Sequence, residues 1–187
     1  MQMLNSPQRY GAVVQTMHWA TVVLVILAWL LGMFGDDLPR GTARNAGLFV
    51  HMSAGLLVLG ILVLRLLWRV VDAPPAPEKT ALGPRLDRAG RLAHLVLYLL
   101  LVAVPIAGIA AQFARGRPLP LFGVMQIASP WAADRAFARS VTEVHELLAN
   151  TLMAVAVVHA AAALAHHLPE YLAGRQQLGV DPLPEIR

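Results

Sequence analysis

The chain contains no cysteine. That absence excludes a disulfide scaffold, thiolate zinc sites, iron–sulfur clusters held by cysteine, and haem attached covalently as in c-type cytochromes. Charge is scarce as well. Only 14% of the 187 residues are charged, while 57% are hydrophobic. An average soluble domain carries about 25% charge and about 45–50% apolar residues. A compact soluble fold of this length needs more polar surface than the chain supplies. The composition therefore argues against a soluble enzyme and for a membrane protein with lipid as its main partner. No nucleic-acid partner is expected. The basic excess is mild, 15 Lys and Arg against 11 Asp and Glu, and its placement matters more than its size.

What is present is a set of four charge-free stretches. Tyr10 to Gly35, Ala46 to Leu64, Leu92 to Ala114 and Leu147 to Pro169 contain no Asp, Glu, Lys or Arg. Each approaches or exceeds the about 20 helical residues needed to cross the hydrocarbon of a bilayer. Helix follows, because an open sheet leaves backbone groups unpaired in lipid. The first stretch is not a cleaved signal peptide: it lacks a basic leader, is too long, and carries His18 and Trp19 near its start. The expected fold is all-α, an integral-membrane four-helix bundle forming one domain over residues 1–187. Its helices should cover roughly residues 10–35, 43–70, 90–114 and 140–169.

The connectors read as such. Gly35 to Gly41 is a turn-rich loop, and Asp72 to Pro77 is a short proline-rich linker. Residues 115–139 hold Pro118, Pro120 and Pro130 and leave room for a short surface helix. Ser140-Val141-Thr142-Glu143 fits a capping box, which places the start of helix four there. No internal repeat stands out.

Orientation follows from basic residues near the span ends. One face would hold Arg9, Arg65, Arg69, Lys79, Arg85, Arg88, Arg91, Arg175 and Arg187; the other Arg40, Arg44, Arg115, Arg117, Arg135 and Arg139. Nine against six favours cytoplasmic termini in a bacterial inner membrane. Six arginines remain a heavy load for an outer face, and a cationic outer surface would steer a small anion inward.

The seven histidines, 18, 51, 94, 145, 159, 166 and 167, all lie in or at the edge of the spans. Intramembrane ionisable groups are costly and usually line a functional interior. His145 and His159 are 14 residues apart, which is about 21 Å along a helix with only about 40° between their directions. His166 continues that stripe, whereas His167 points elsewhere. Alternating helices put His51 and His145 at the outer level and His18 and His159 at the inner level. Two facing histidines at one depth can supply both axial ligands of a b-type haem. Two such levels would hold two haems per chain. Spacing alone leaves open whether His18, His94 or His166 partners His159. The spare inner histidines suit the edge of a quinone site, since imidazole both donates hydrogen bonds and passes protons. Arg65, 14 residues after His51, is a candidate partner for haem propionates. Gly55 and Ala149, one turn after His51 and His145, leave room for a flat ring. A metal transporter would want carboxylates or thiolates beside the imidazoles, and the spans contain neither. A proton channel does not need two matched levels.

The segments Thr16-Met17-His18-Trp19, Val50 to Gly55 with Arg65 to Arg69, Arg91 to Leu95, Val144 to Asn150 and Val158 to His167 together resemble the bacterial cytochrome b-561 family. The resemblance runs from about Tyr10 to His167. It implies a four-helix, dihaem inner-membrane protein with His18, His51, His145 and His159 as axial ligands. Within the family the chain looks most like the small stand-alone superoxide oxidases, which take electrons from superoxide at the periplasmic face and reduce ubiquinone. By that likeness His94 and His166 border the quinone end. The family also implies an alternative, a membrane subunit passing electrons between quinone and a partner dehydrogenase, hydrogenase or soluble cytochrome. A non-redox histidine-lined transporter is the third possibility.

Overall fold

The computed structural model describes residues 2–6, 9–75 and 84–177, and the side chains of these apart from residues 84–87 and 166–177. Among them are four long helices: α1 (Ala12–Phe34), α2 (Thr42–Val71), α3 (Pro84–Ala114) and α4 (Arg135–Gln177). Each contains a stretch long and apolar enough to span a membrane. The chain is thus a multi-pass, mostly helical membrane protein. Many large apolar side chains, such as Val23, Leu66, Leu99, Leu147 and Val157, point outward, as they must where the surrounding solvent is lipid rather than water.

Two helical hairpins make the bundle. α1 packs along α2 and α3 along α4; the α2–α3 and α1–α4 seams are thinner. No Cα of α2 comes within 8 Å of one in α4 among the described residues, so the two diagonal helices leave space between them. The mid-bundle core joins Val58 and Leu62 of α2, Leu100 and Leu101 of α3 and Leu152 of α4, with Leu24 and Val25 of α1 against it. At 1.5 Å per residue, Leu152 lies about 10 Å along α4 from both His145 and His159. The core therefore divides the bundle into two polar levels, one near the α1–α2 and α3–α4 turns and one near the amino terminus.

Three connector details differ from expectation. The α3–α4 connection holds a β-hairpin instead of a short surface helix, with Leu119–Leu121 (β1) antiparallel to Met125–Ile127 (β2). Phe122 and Gly123 supply its positive-φ turn, and β1 rests on α2 and α3. Helix α4 starts at Arg135, ahead of Ser140, because the Asp134 carboxylate accepts the backbone N–H groups of Ala136 and Phe137. Ser140 and Thr142 instead donate their hydroxyls to the Ala136 and Ala138 carbonyls, the habit of helix-interior residues. Helix α3 begins at Pro84, earlier than the charge-free run; proline suits a first helical turn, where its missing N–H leaves nothing unpaired.

Amino-terminal residues fold across the end of α2. The backbone N–H of Asn5 donates to the Asp72 carboxylate at 3.0 Å, and the Trp68 indole donates to the same carboxylate at 3.1 Å.

Candidate functional site

The level near the turns centres on His51 of α2 and His145 of α4. Their rings face each other across the gap between the diagonal helices, with centroids 6.0 Å apart and planes crossing at 82°. Both are only partly exposed. His51 Nδ1 lies 2.8 Å from the Ala28 carbonyl of α1, and His145 Nδ1 lies 2.9 Å from the Val104 carbonyl of α3. A carbonyl only accepts, so in each case Nδ1 carries the proton and donates. Each Nε2 then keeps its lone pair for a metal.

A haem iron is the group this pair fits. An iron bonded at about 2 Å to one nitrogen of each of two opposed imidazoles places the ring centroids about 6 Å apart. The observed separation meets that requirement, and the donors are nitrogen only. Gly55, one turn along from His51, has no neighbour within 4 Å of where a Cβ would stand.

The level near the amino terminus draws on all four helices. His94 of α3 and His159 of α4 stack edge to face with centroids 4.9 Å apart. That is about 1 Å too close for the two rings to sit on opposite sides of one iron. His18 of α1 stacks on its neighbour Trp19 at 5.5 Å and lies within electrostatic reach of Arg65, His159 and His94. Arg65 holds its guanidinium 5.8 Å from the centre of the Tyr98 ring, a cation–π contact. Among the described residues, the rings of His18, His94 and His159 have no backbone carbonyl partner of the kind that holds His51 and His145. The His166 side chain lies outside the described residues, as do those of His167, Arg85 and Arg175; Lys79 and Arg187 lie outside them altogether.

A third feature opens beside the His51–His145 level. A cleft of about 800 Å³ is lined by Arg115, Arg117, Arg135 and Arg139, together with Asp134, Glu143 and Glu146. Glu146 directly follows His145 in the chain. The Arg115 guanidinium donates to the Thr142 hydroxyl at 2.7 Å. The single ion pair among the described residues is Arg44 with Asp36 at 3.6 Å, in the α1–α2 turn. Among the described residues, none of the four cleft arginines has a carboxylate within ion-pair distance, and all four line the cavity.

The two carbonyl partners and the glycines beside them, Gly32 and Gly108, were not singled out from the sequence. The signal was present, a glycine within each odd-numbered span, but small residues in membrane helices serve plain packing equally well. The coming together of four arginines from separate segments also needed the fold.

Residues 9–172 match the family described as prokaryotic cytochrome b561. The chain is 34% identical over 169 residues to cytochrome b561 homolog 2 of Escherichia coli, covering 89% of each protein. It is 32% identical over 163 residues to "Probable superoxide oxidase CybB" of Yersinia pestis, covering 86% of this chain and 89% of that one. A cytochrome b562 of Cereibacter sphaeroides is 31% identical over 157 residues, covering 81% and 82%.

Proposed function

The chain belongs to the prokaryotic cytochrome b561 family, and from that premise we propose that it is a dihaem superoxide oxidase, moving electrons from superoxide at the periplasmic face to ubiquinone. As a family member it is a membrane cytochrome of electron transfer that binds b-type haem. Haem b supplies a reversible one-electron centre whose potential the protein sets through ligands, hydrogen bonds and burial.

His51 and His145 are assigned to one haem, near the periplasmic face. His18 and His159 are assigned to the second, near the cytoplasm, with both termini on that side of a bacterial inner membrane. The 4.9 Å contact of His94 with His159 favours His18 over His94 as the second ligand there. His94 then packs on a ligating ring and, with His166, borders the quinone end. Arg65, held over Tyr98, offers the positive charge that propionates need.

The observation that carries the superoxide reading is the arginine-lined cleft next to His145. Superoxide is a small anion, and its oxidation to oxygen gives up one electron and no proton. A substrate of this kind needs attraction and an electron acceptor close at hand, not a general base. Four arginines lining one cleft supply the attraction, and Glu146, which also lines it, directly follows His145 in the chain. Ubiquinone, by contrast, must gain two electrons and two protons, and the histidine-rich opposite level suits that end.

Stopped-flow mixing of superoxide with the purified, oxidised protein tests this. The reduced b-type band should rise faster than superoxide dismutates on its own. A band that stays oxidised while superoxide decays refutes the assignment, and a partner protein co-purifying in stoichiometric amount would point to an electron-carrying subunit instead.

A further inference from the structure

The two halves of the His51–His145 site are built alike on different helices. On α1, Ala28 gives its carbonyl to His51 and Gly32 follows one turn later; on α3, Val104 gives its carbonyl to His145 and Gly108 follows one turn later. A residue one turn on stands beside the carbonyl it pairs with in the helix, so its side chain would flank any group approaching that carbonyl from outside. At both positions the flank is empty because the residue is glycine, and the imidazole fills the space. A Cβ on Gly32 would stand 3.2 Å from His51 Cε1 and 3.5 Å from Nδ1. A Cβ on Gly108 would stand 3.1 Å from His145 Cε1 and 3.3 Å from Nδ1. Carbon atoms prefer about 3.5–4.0 Å, so a methyl group at either site displaces the ring by a few tenths of an ångström.

We propose that Gly32 and Gly108 are positioning residues that seat the imidazoles of His51 and His145 against the Ala28 and Val104 carbonyls and so fix their planes crosswise; this rests on the reading of the two histidines as ligands of one haem. Each seat performs two tasks. It selects Nε2 as the metal-binding nitrogen by occupying Nδ1–H, and the carbonyl acceptor makes that nitrogen a stronger donor, which favours ferric iron. It also fixes the rotation of each ring independently, one from α1 and one from α3, and the 82° crossing is the result. Among the described residues, no such seat holds His18 or His159.

Crossed axial planes leave a low-spin ferric haem with two nearly degenerate iron orbitals. Its electron paramagnetic resonance spectrum is then dominated by one strongly anisotropic low-field feature. Parallel planes give a rhombic trio instead. The test is this spectrum, with a redox titration, on the full-length protein and on Gly32→Ala, Gly108→Ala and Gly60→Ala. Gly60 of α2 has open space where its Cβ would stand and serves as the control. In the unsubstituted protein the haem that disappears in His51→Ala should carry the anisotropic feature. Alanine at Gly32 or Gly108 should move that feature toward the rhombic form and raise the midpoint potential of that haem alone, while Gly60→Ala changes neither. Loss of that haem alone from either variant, the second haem remaining, supports the seat as well.

A rhombic spectrum from the His51-dependent haem overturns the proposal, and that result needs no glycine variant to fold. Wild-type spectra and potentials in both glycine variants overturn it too, while leaving the haem assignment standing. An unsubstituted protein with no b-type absorption removes the assignment and the proposal together.

Discussion

Replacing Arg117 and Arg139 together with glutamine should slow the capture of superoxide, and by more in dilute buffer than in physiological salt. The cleft lining carries four arginines against three carboxylates, a net formal charge of one positive; the double variant leaves it one negative. A sphere with the cleft's volume of about 800 Å³ has a radius of about 6 Å. At that distance in water a pair of unit charges interacts by about 0.7 kcal/mol. With a Debye length of about 30 Å at 0.01 M, each lost arginine keeps most of that value, and the two together correspond to about a sevenfold slower capture. At 0.15 M the Debye length is about 8 Å, and the loss shrinks to about threefold. The assay is the second-order rate of haem reduction after a superoxide pulse, measured across ionic strength for both proteins. The unsubstituted protein should slow as salt rises, and the variant should be flat or reversed in slope. A capture rate indifferent to salt, or equal in the two proteins, refutes electrostatic steering by the cleft.

Other expectations are as concrete. Substituting His51 or His145 with alanine should halve the haem bound per chain, as read by the pyridine haemochrome assay; retention of the full amount would break the pairing. The Trp29 indole of α1 donates to the Asn150 amide oxygen of α4 at 2.9 Å, across the thin α1–α4 seam. Trp29→Phe and Asn150→Leu should show a coupling of about 0.6 kcal/mol, up to about 1.7, in a double-mutant cycle of unfolding in mixed micelles; additive effects would mean that the bond contributes nothing to closing the bundle. Asp72→Ala removes the acceptor shared by Asn5 and Trp68, so proteolysis near the amino terminus should accelerate with no change in haem content. An unchanged cleavage rate would show that other contacts hold the segment.

Much of this architecture can be read in the chain because lipid imposes simple demands. Spans without charge announce four helices, since hydrocarbon tolerates neither ions nor unpaired backbone. The pairing of His51 with His145 also follows from helical arithmetic, because depth in a membrane is set by residue count along a nearly straight rod. Depth does not give rotation or lateral distance, however. The contact of His94 with His159, and the place of His18 beside them, depend on how the helices turn about their axes. Spacing leaves His18, His94 and His166 alike as partners of His159. The start of α4 differs from the sequence pattern because Ser140 to Glu143 satisfies a local capping motif while Asp134, six residues earlier, caps the first free N–H groups. The hairpin at Leu119–Ile127 is masked in the sequence by Pro120, which sits where a short strand pair tolerates it. The seats at Gly32 and Gly108 lie beyond single-sequence reading, because a glycine's meaning there is set by a ring from another helix.

The most direct measurement is the yield of ubiquinol when known amounts of superoxide are delivered to the purified protein carrying oxidised ubiquinone. Electron delivery from superoxide requires one ubiquinol, with two protons taken up, for every two superoxide ions oxidised to oxygen, and it requires this yield to collapse in His51→Ala. Superoxide that disappears only into hydrogen peroxide and oxygen, at its spontaneous rate and with no ubiquinol formed, would contradict the proposed reaction.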